Sequence, residues 1–562
     1  MYSNKKNILR LVALLQQSGI DHIVLSPGSR NAPLIHTFAK HPSFTCFTVV
    51  DERSAAFFAI GMIQKLRRPV AICCTSGTAL LNYGSGVAEA FYQQLPLLVI
   101  SADRPQAWIG QMDGQTLPQP GIFRTLVKKS VQLPEIHTAE EEWLCNRLIN
   151  ETLIELTRHG NGPVHINIPL AEPLFEFTAE TVPEVRRIQY YPSETPAPAC
   201  TEHLKADWQR YAEKMVIVGQ ASFPAATREL LRRIARQADC VVLAEHTGNL
   251  PYPEITGNFD ALIYTLPAEE KKRFAPGLVI TLGGHIVSKR IKQLLRDNPP
   301  LAHWHIGEKG EVPDLFRALT CVAEGDPAPL LQAICRPEPQ QESSAFYRLW
   351  RAHSDALAAK AARIREHGLP FSDLLVTGYF MEALPEGAVL QLANSSPVRN
   401  AQLFPLRPGV EVYCNRGTSG IDGSMSTAVG YASVHDGPVY LLIGDLSYLY
   451  DLNSLYNGPV PDNLRIVLLY NNGGEIFRAL PGLNRSDKLE RYVCQAADER
   501  ESRLPFPGKR LFPDDGAERI RQAIREMAAP GAPCRYLAVI TAGADNSGVL
   551  RNFYHQLKDS TI

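Results

Sequence analysis

Two polar side chains, Asp445 and Asn471, stand where buried strands give way to flexible tips. The segment Tyr440–Phe477 reads YLLIGDLSYLYDLNSLYNGPVPDNLRIVLLYNNGGEIF. The apolar run Val439–Ile443 stops at Gly444-Asp445, and the run Ile466–Leu469 stops at Asn471-Asn472-Gly473-Gly474. A helix-like stretch lies between them, so the pattern is strand, crossover helix, strand. In a parallel sheet both tips fall on one edge, where open α/β sheets bind ligands. One tip offers a carboxylate, the other a side-chain amide and backbone carbonyls. That hard-oxygen set suits Mg²⁺, which keeps few protein ligands and completes its shell with phosphate and water. Backbone N–H groups after Asp445 open a helix and can hold phosphate. These residues predict a site for magnesium and a diphosphate cofactor. The alternative is a plain strand-helix-strand with two ordinary turns.

The elements that position these tips recur along the chain. Its 562 residues suggest three domains, and 45% hydrophobic with 20% charged residues give a globular chain with a large core. A formal net charge of −1 argues against bulk nucleic-acid binding and against a basic membrane face. Eleven cysteines lack the close paired spacing of zinc sites and read as reduced thiols of a cytoplasmic chain. The apolar residues of the first 19 positions recur at helical spacing. They predict an amphipathic helix over Ile8–Leu15 rather than a signal peptide, and no run is long enough to span a membrane.

From there, helical and strand patterns alternate. Strands are expected at His22–Leu25, Pro69–Cys74, Leu97–Ser101 and Val164–Ile168, with a helix at Ser54–Leu66. Residues 181–208 read as a linker. A middle domain follows, with strands at Met215–Val218, Cys240–Ala244, Leu278–Leu282 and His303–Ile306. Residues 324–342 read as a second linker, and a third domain opens with a long helix near Phe346. Its strands are expected at Ala388–Leu392, Glu411–Cys414, the two central runs and Arg535–Ile540. The expectation is three doubly wound, mostly parallel α/β domains at 1–180, 209–330 and 345–562. Leu25-Ser-Pro-Gly-Ser-Arg30 and Leu392-Ala-Asn-Ser-Ser-Pro-Val-Arg399 echo each other, as two similar domains would, or as two short matches would by chance. Gly219 and Gly283-Gly284 follow middle-domain strands, but no full G-x-G-x-x-G follows a strand, so a nicotinamide or flavin site there is weakly supported.

Other residues sit where a sheet presents its ligands. Arg30, Arg104, Arg399 and Arg416 each follow an expected strand, and Lys289-Arg290 follows a glycine turn. Guanidinium forks bind carboxylates through paired hydrogen bonds. Each arginine taken alone is more often a solvated charge or a carbonyl clamp, while several on strand ends form a stronger signal than any one of them. Asp51 is the expected N-cap of the helix that Glu52 opens, and a first-turn acid there is favoured by the helix dipole. The loop Asn415-Arg-Gly-Thr-Ser-Gly-Ile-Asp-Gly423 has glycines that permit close backbone approach to a ligand; the other reading is a glycine-rich turn over a buried Ile421.

Gly444-Asp445 followed downstream by Asn471-Asn472 resembles the thiamine diphosphate motif, with Leu446 where many members have glycine. Asn-Asn-Gly-Gly-x-Ile-Phe narrows the resemblance to the synthases of 2-succinyl-5-enolpyruvyl-6-hydroxy-3-cyclohexene-1-carboxylate (SEPHCHC) in menaquinone biosynthesis. The family's motifs occur in order: Pro27-Gly-Ser-Arg30, Asp51-Glu-Arg53, Thr75-Ser-Gly-Thr-Ala79, Ala102-Asp-Arg-Pro105, Gln119-Pro-Gly121, Asn415–Gly423, Gly444-Asp-Leu-Ser447 and Asn471-Asn-Gly-Gly474.

This resemblance implies roles. The thiamine pyrimidine needs a carboxyl group at N1′ to reach the tautomer that takes its C2 proton, and Glu52 matches that acid. Ile421 matches the apolar side chain that bends the cofactor. Pro27, Gly77, Ser395, Gly444, Asp445, Leu446, Ser447 and Asn471 would line the cofactor. Asp445, Asn471 and the Gly473 carbonyl would hold Mg²⁺, or Mn²⁺ in its place. Counting by the general motif selects Asn472 and Gly474 instead; alignment on the glycines favours the first set. Ser29, Arg30 and Gln115 would face the reacting carbon, with Gly114 standing where the family has asparagine. Ser395, Arg399, Arg416 and Arg290, together with Arg104 and Lys289, would bind substrate carboxylates. The implied reaction is decarboxylation of 2-oxoglutarate and addition of the succinyl-semialdehyde carbanion to isochorismate, in a homodimer or a dimer of dimers. The rivals are another thiamine enzyme, such as an acetolactate synthase or a 2-oxoacid decarboxylase, and a non-catalytic α/β binding protein.

Overall fold

The computed structural model describes residues 1–190, 198–336, 343–458, 460–478, 480, 482–495, 508–529 and 531–559. Strands β1 (His22–Leu25), β2 (Thr45–Thr48), β3 (Val70–Cys74), β4 (Leu97–Asp103), β5 (Ser130–Gln132) and β6 (Val164–Pro169) form one sheet. Its order is β2-β1-β3-β4-β6-β5, parallel throughout. A second sheet joins β7 (Lys214–Val218), β8 (Cys240–Ala244), β9 (Leu278–Leu282), β10 (Ala302–Gly307) and β11 (Leu319–Glu324) in the order β11-β10-β9-β7-β8, again parallel. The third contains β12 (Val389–Leu392), β13 (Glu411–Tyr413), β14 (Val439–Gly444), β15 (Leu464–Tyr470), β16 (Gly508–Leu511) and β17 (Tyr536–Ile540). Its order is β13-β12-β14-β15-β17-β16. Central strands such as β3, β4 and β7 are buried at every position, which is why they read as unbroken apolar runs.

The first and third sheets share one strand order when each is numbered from its own first strand. The two echo segments follow β1 and β12, the first strand of each sheet. Each sheet reverses its winding direction beside that strand, so Ser26–Arg30 and Asn394–Arg399 start at equivalent switch points.

The chain packs as two compact units. One comprises Met1–Pro192, Gly417–Val439 and Ser447–Leu464; the other comprises Ser193–Arg416, Tyr440–Leu446 and Arg465–Ile562. In the first unit, helix Lys6–Gln17 buries Ile8, Leu11, Val12, Leu14 and Leu15 against the first sheet's core, as its spacing predicts. Helix Glu52–Leu66 meets helix Ser424–Ala432 backbone to backbone. A Cβ at Gly61 would lie 2.0 Å from the Thr427 carbonyl oxygen, and one at Gly430 would lie 2.0 Å from the Phe58 carbonyl oxygen. Only glycine fits such a crossing.

Three expectations need correction. Helix Pro198–Trp208 occupies the end of the first expected linker, and helix Pro327–Ile334, capped by Asp326, occupies part of the second. Both are helices that begin with proline, whose fixed φ suits a first turn. The remainder of those linker assignments, 191–197 and 337–342, lies outside the described residues. Strands β2, β5, β11 and β16 carry no buried apolar run because each is a sheet edge or short and polar, so periodicity misses them. At the middle sheet, Gly219 and Gly284 pack on each other, and a Cβ at Gly219 would lie 1.9 Å from the Gly284 carbonyl oxygen. This close packing accounts for the glycines without a dinucleotide site, in keeping with its weak sequence support. Among the described residues, no helix is long and apolar enough to cross a membrane.

Candidate active site

The tips of β14 and β15 meet, as strand ends on one edge must. Asp445 is 3% exposed, and its Oδ2 accepts from the Gly473 N–H at 2.8 Å. Its Oδ1 accepts from the Leu446 N–H at 2.7 Å. Burial pushes the Asp445 carboxyl up to about 6, against these backbone donors. Asn471 is also buried. Its amide nitrogen donates to Asp373 Oδ2 at 2.7 Å, while its Oδ1 is buried with no hydrogen-bond partner. A buried amide oxygen without a partner is costly unless a ligand meets it. Asn472, at φ +61°, and Gly473, at φ +122°, turn the chain through left-handed conformations that wrap the tip around this point. A Cβ added at Gly444 would meet no heavy atom within 4 Å beyond its chain neighbours, so the β14 tip is open on that side. The donor set is one carboxylate, one unpartnered amide oxygen and the glycine backbone. It fits Mg²⁺, and no group of three His, Cys, Asp or Glu side chains converges elsewhere among the described residues.

Asp373 was not visible as a site residue in the sequence. It opens helix Asp373–Ala383 after the N-cap Ser372, so it reads as an ordinary first-turn acid. In the structure its carboxylate also accepts from the Thr541 hydroxyl, and its N–H donates to Asn546 Oδ1 at 2.8 Å. Thr541 follows β17, whose Ile540 pairs with Tyr470 of β15, so register places Thr541 beside Asn471. Asp373 therefore holds the Asn471 amide by its nitrogen end and fixes which way the oxygen faces.

The loop after β13 is held at both ends within the first unit. Glu89, 1% exposed, accepts from the Gly417 N–H at 2.7 Å, the Thr418 N–H at 2.6 Å and the Thr418 hydroxyl at 2.6 Å. The Ser447 hydroxyl donates to the Ile421 carbonyl at 2.6 Å. Between these anchors the Ile421 side chain is 38% exposed, so it is not the core residue of an ordinary turn. Glu89 was another acid that sequence reading passed over, because it lies inside an amphipathic helix with no motif around it.

Asp51 caps the helix as expected, accepting from Arg53 N–H at 2.9 Å and Ser54 N–H at 3.3 Å. Glu52 is thereby free of capping. It is half-buried, and Oε2 accepts from Asn82 at a long 3.4 Å. Its charge helps push the buried Cys74 thiol and Tyr83 phenol upward, behind the larger effect of burial. Pro27 and Ser29 are exposed, whereas Arg30 is buried and clamps the Leu170 carbonyl at 2.9 Å and Glu172 at 3.0 Å. A Cβ at Gly77, whose φ is +86°, would lie 3.3 Å from the Gln115 backbone, and the Gly77 N–H donates to the buried Gln119 at 2.8 Å. Gln115 is exposed at φ +57°, on the loop whose Asp113 and Gly114 hold Arg104 Nε at 2.8 Å each. Pro27, Ser29, Arg30, Gly77, Arg104 and Gln115 thus share one edge of the first sheet.

In the second unit, Ser395 adopts φ +74° and ψ −128°, a conformation that costs a non-glycine residue energy and tends to be kept at functional sites. Arg399 Nη1 donates to the Ser395 carbonyl, and Arg416 Nη1 donates to Asn394 Oδ1, each at 2.7 Å. Burial, and then the neighbouring Arg416, lowers the Arg399 guanidinium below its usual range. Arg290 pairs with Asp260 and lies over the rings of Tyr264 and Tyr554, at 4.9 and 4.7 Å, while Lys289 is exposed one residue earlier.

The family model described as the thiamine pyrophosphate enzyme, N-terminal TPP binding domain, matches residues 9–123. A protein of Bacteroides thetaiotaomicron named 2-succinyl-5-enolpyruvyl-6-hydroxy-3-cyclohexene-1-carboxylate synthase is 48% identical over 99% of this chain and 100% of its own. Proteins of the same name from Bacteroides fragilis and Phocaeicola vulgatus are 47% and 45% identical, each with full coverage of both chains. With thiamine diphosphate the cofactor of its N-terminal domain and full-length relatives at this identity, the chain belongs to the SEPHCHC synthase family.

Proposed function

We propose that this protein decarboxylates 2-oxoglutarate and joins the resulting four-carbon succinyl unit to isochorismate, releasing carbon dioxide, as a step of menaquinone biosynthesis. The observation that carries the site assignment is the buried, unpartnered Oδ1 of Asn471 beside Asp445. Asp445, Asn471 Oδ1 and the Gly473 carbonyl would hold Mg²⁺, with Mn²⁺ as a substitute, which would anchor the diphosphate. When bound, thiamine diphosphate would supply the electron sink for the pair that carbon dioxide leaves on the former keto carbon. Glu52 exchanges a proton at the pyrimidine N1′. Gly444, Leu446 and Ser447 line the diphosphate end, and Ile421 supports the bend of the cofactor. Pro27 and Gly77 line the pyrimidine end. Ser29, Arg30 and Gln115 orient the reacting carbon, and Ser395, Arg399, Arg416, Arg290, Arg104 and Lys289 neutralise substrate carboxylates.

The three sheets correspond to domains at 1–180, 209–330 and 345–562. In a cytoplasmic homodimer, or a tetramer built from dimers, Glu52 of one copy completes the cofactor site of the other. Exposed Val50 and Leu81, which flank Glu52 and its partner Asn82 in sequence, supply apolar surface for such a partner. The direct test mixes purified protein with thiamine diphosphate, Mg²⁺, 2-oxoglutarate and isochorismate and follows loss of isochorismate. Turnover only with a smaller 2-oxoacid would favour an acetolactate synthase or a decarboxylase instead.

A further inference from the structure

Glu245 follows β8 and is 5% exposed. Its two carboxylate oxygens accept from Val287 N–H at 2.7 Å and Ser288 N–H at 2.6 Å. Those residues lead directly into helix Lys289–Asp297, whose N-cap is Ser288. The Ser288 hydroxyl bonds to Asp260, and Asp260 in turn pairs with Arg290. The same carboxylate interacts with Arg416, Arg399 and Lys292. Lys292 Nζ is turned to the Ile286 carbonyl at 2.7 Å. The adjacent His246 points its ring nitrogen at the Ala401 and Phe404 carbonyls, and burial lowers its pKa below the ordinary value against those two acceptors. Glu245 thus interacts favourably with the charges of Arg399, Arg416 and Lys292 and unfavourably with that of Asp260. It is the shared anion of the arginine cluster and the tether of the loop that presents Lys289.

We propose that Glu245 is a positioning residue for substrate carboxylates, and that it takes up a proton when a dicarboxylate binds beside Arg399 and Arg416. This rests on the proposed roles of those two arginines. An entering carboxylate replaces Glu245 as counter-charge to the guanidinium pair and repels its negative charge at close range in a buried site. Neutralising Glu245 relieves that repulsion, while its remaining lone pairs still cap the 287–288 turn. The free protein is poised for the step. Burial, together with Asp260, pushes the Glu245 carboxyl up to about 7, against the two backbone donors and Arg416. The sign follows from linkage: ligand binding that takes up protons weakens as pH rises.

Glutarate, a dicarboxylate with no keto group to react, is the probe. It is titrated calorimetrically into the thiamine- and Mg²⁺-loaded protein at pH 7 in two buffers of different ionisation enthalpy, and again from pH 6 to 8. The expected result is uptake of about half a proton per glutarate at pH 7, with Kd rising about threefold per pH unit there. Glu245→Gln should bind glutarate with no linked proton and a flat pH profile. Binding that releases or takes up no proton in the wild type overturns the proposal, as does uptake that persists in Glu245→Gln. Glutarate that fails to bind, or binds Arg399→Ala unchanged, removes the carboxylate reading of the arginines and this proposal with it.

Discussion

Asn471 gives its amide nitrogen to Asp373 at 2.7 Å and keeps its amide oxygen buried and unpartnered. The pair converts a freely rotating amide into an oriented oxygen donor, the service that outer groups commonly perform for metal ligands. Replacing Asp373 with alanine should therefore leave every proposed ligand in place yet weaken Mg²⁺-dependent thiamine diphosphate binding on the order of 10- to 100-fold. Mg²⁺ titrations of the cofactor-induced rise in melting temperature report this directly. Unchanged Mg²⁺ dependence would mean that Asp373 serves only the fold.

Glu52 is half-buried and uncommitted to capping, because Asp51 takes that task. Glu52→Gln should keep cofactor affinity and helix geometry while lowering kcat on the order of 10²- to 10⁴-fold, the usual worth of a positioned proton-transfer group. Steady-state rates with both substrates, beside a cofactor-binding isotherm, separate the two effects. A variant with wild-type kcat would remove Glu52 from the reaction.

At the crossing of helices Glu52–Leu66 and Ser424–Ala432, the Gly61 position has no room for a side chain. Gly61→Val should cost roughly 1–3 kcal/mol or more by overpacking, seen as a lower urea midpoint at unchanged slope. Since Glu52 opens one helix and Gly423 caps the other, activity should fall with it. Equal stability would show that the helices can separate without penalty.

His165 is fully buried between the hydroxyls of Ser101, at 2.8 Å, and Ser130, at 3.0 Å. Burial lowers its pKa to about 4. The folded value lies below the unfolded one, so the unfolded chain takes a proton first. The stability this group contributes is present above pH 6.5 and is lost as pH falls toward 4. Between pH 7 and pH 5 that loss is about 2 kcal/mol. His165→Asn should be less stable at pH 7 but should lose less between pH 7 and pH 5 than wild type, by chemical denaturation at each pH. Parallel pH profiles would contradict this.

Much of the scaffold is legible because burial leaves a periodic trace. Strands β3, β8 and β14 are unbroken apolar runs, and β1, β8 and β9 match their expected ends. The edge strands β2, β5, β11 and β16 are not legible because they carry exposed or polar positions, whereas the edge strand β8, buried throughout, is. At the site, residues tied to strand tips stand out: Asp445, Asn471, Ser395 and the arginines. Their supports do not. Asp373, Thr541, Glu89 and Glu245 are polar residues whose sequence surroundings look like caps, helix faces or loop starts. Only three-dimensional register brings Thr541 beside Asn471 or turns Glu245 toward the turn before Lys289. The middle-sheet glycines illustrate a signal that points two ways. Gly219 and Gly284 suggest ligand approach in sequence but serve close backbone packing.

The central claim is that Asn471, aimed by Asp373, and Asp445 hold the metal that anchors the diphosphate. A crystal structure grown with thiamine diphosphate and Mg²⁺ tests it most directly. The account predicts an octahedral ion about 2.0–2.1 Å from Asp445, Asn471 Oδ1 and the Gly473 carbonyl, with diphosphate oxygens completing the shell. An ion bound through Asn472 and Gly474, or one that leaves Asn471 Oδ1 without a ligand, would contradict it.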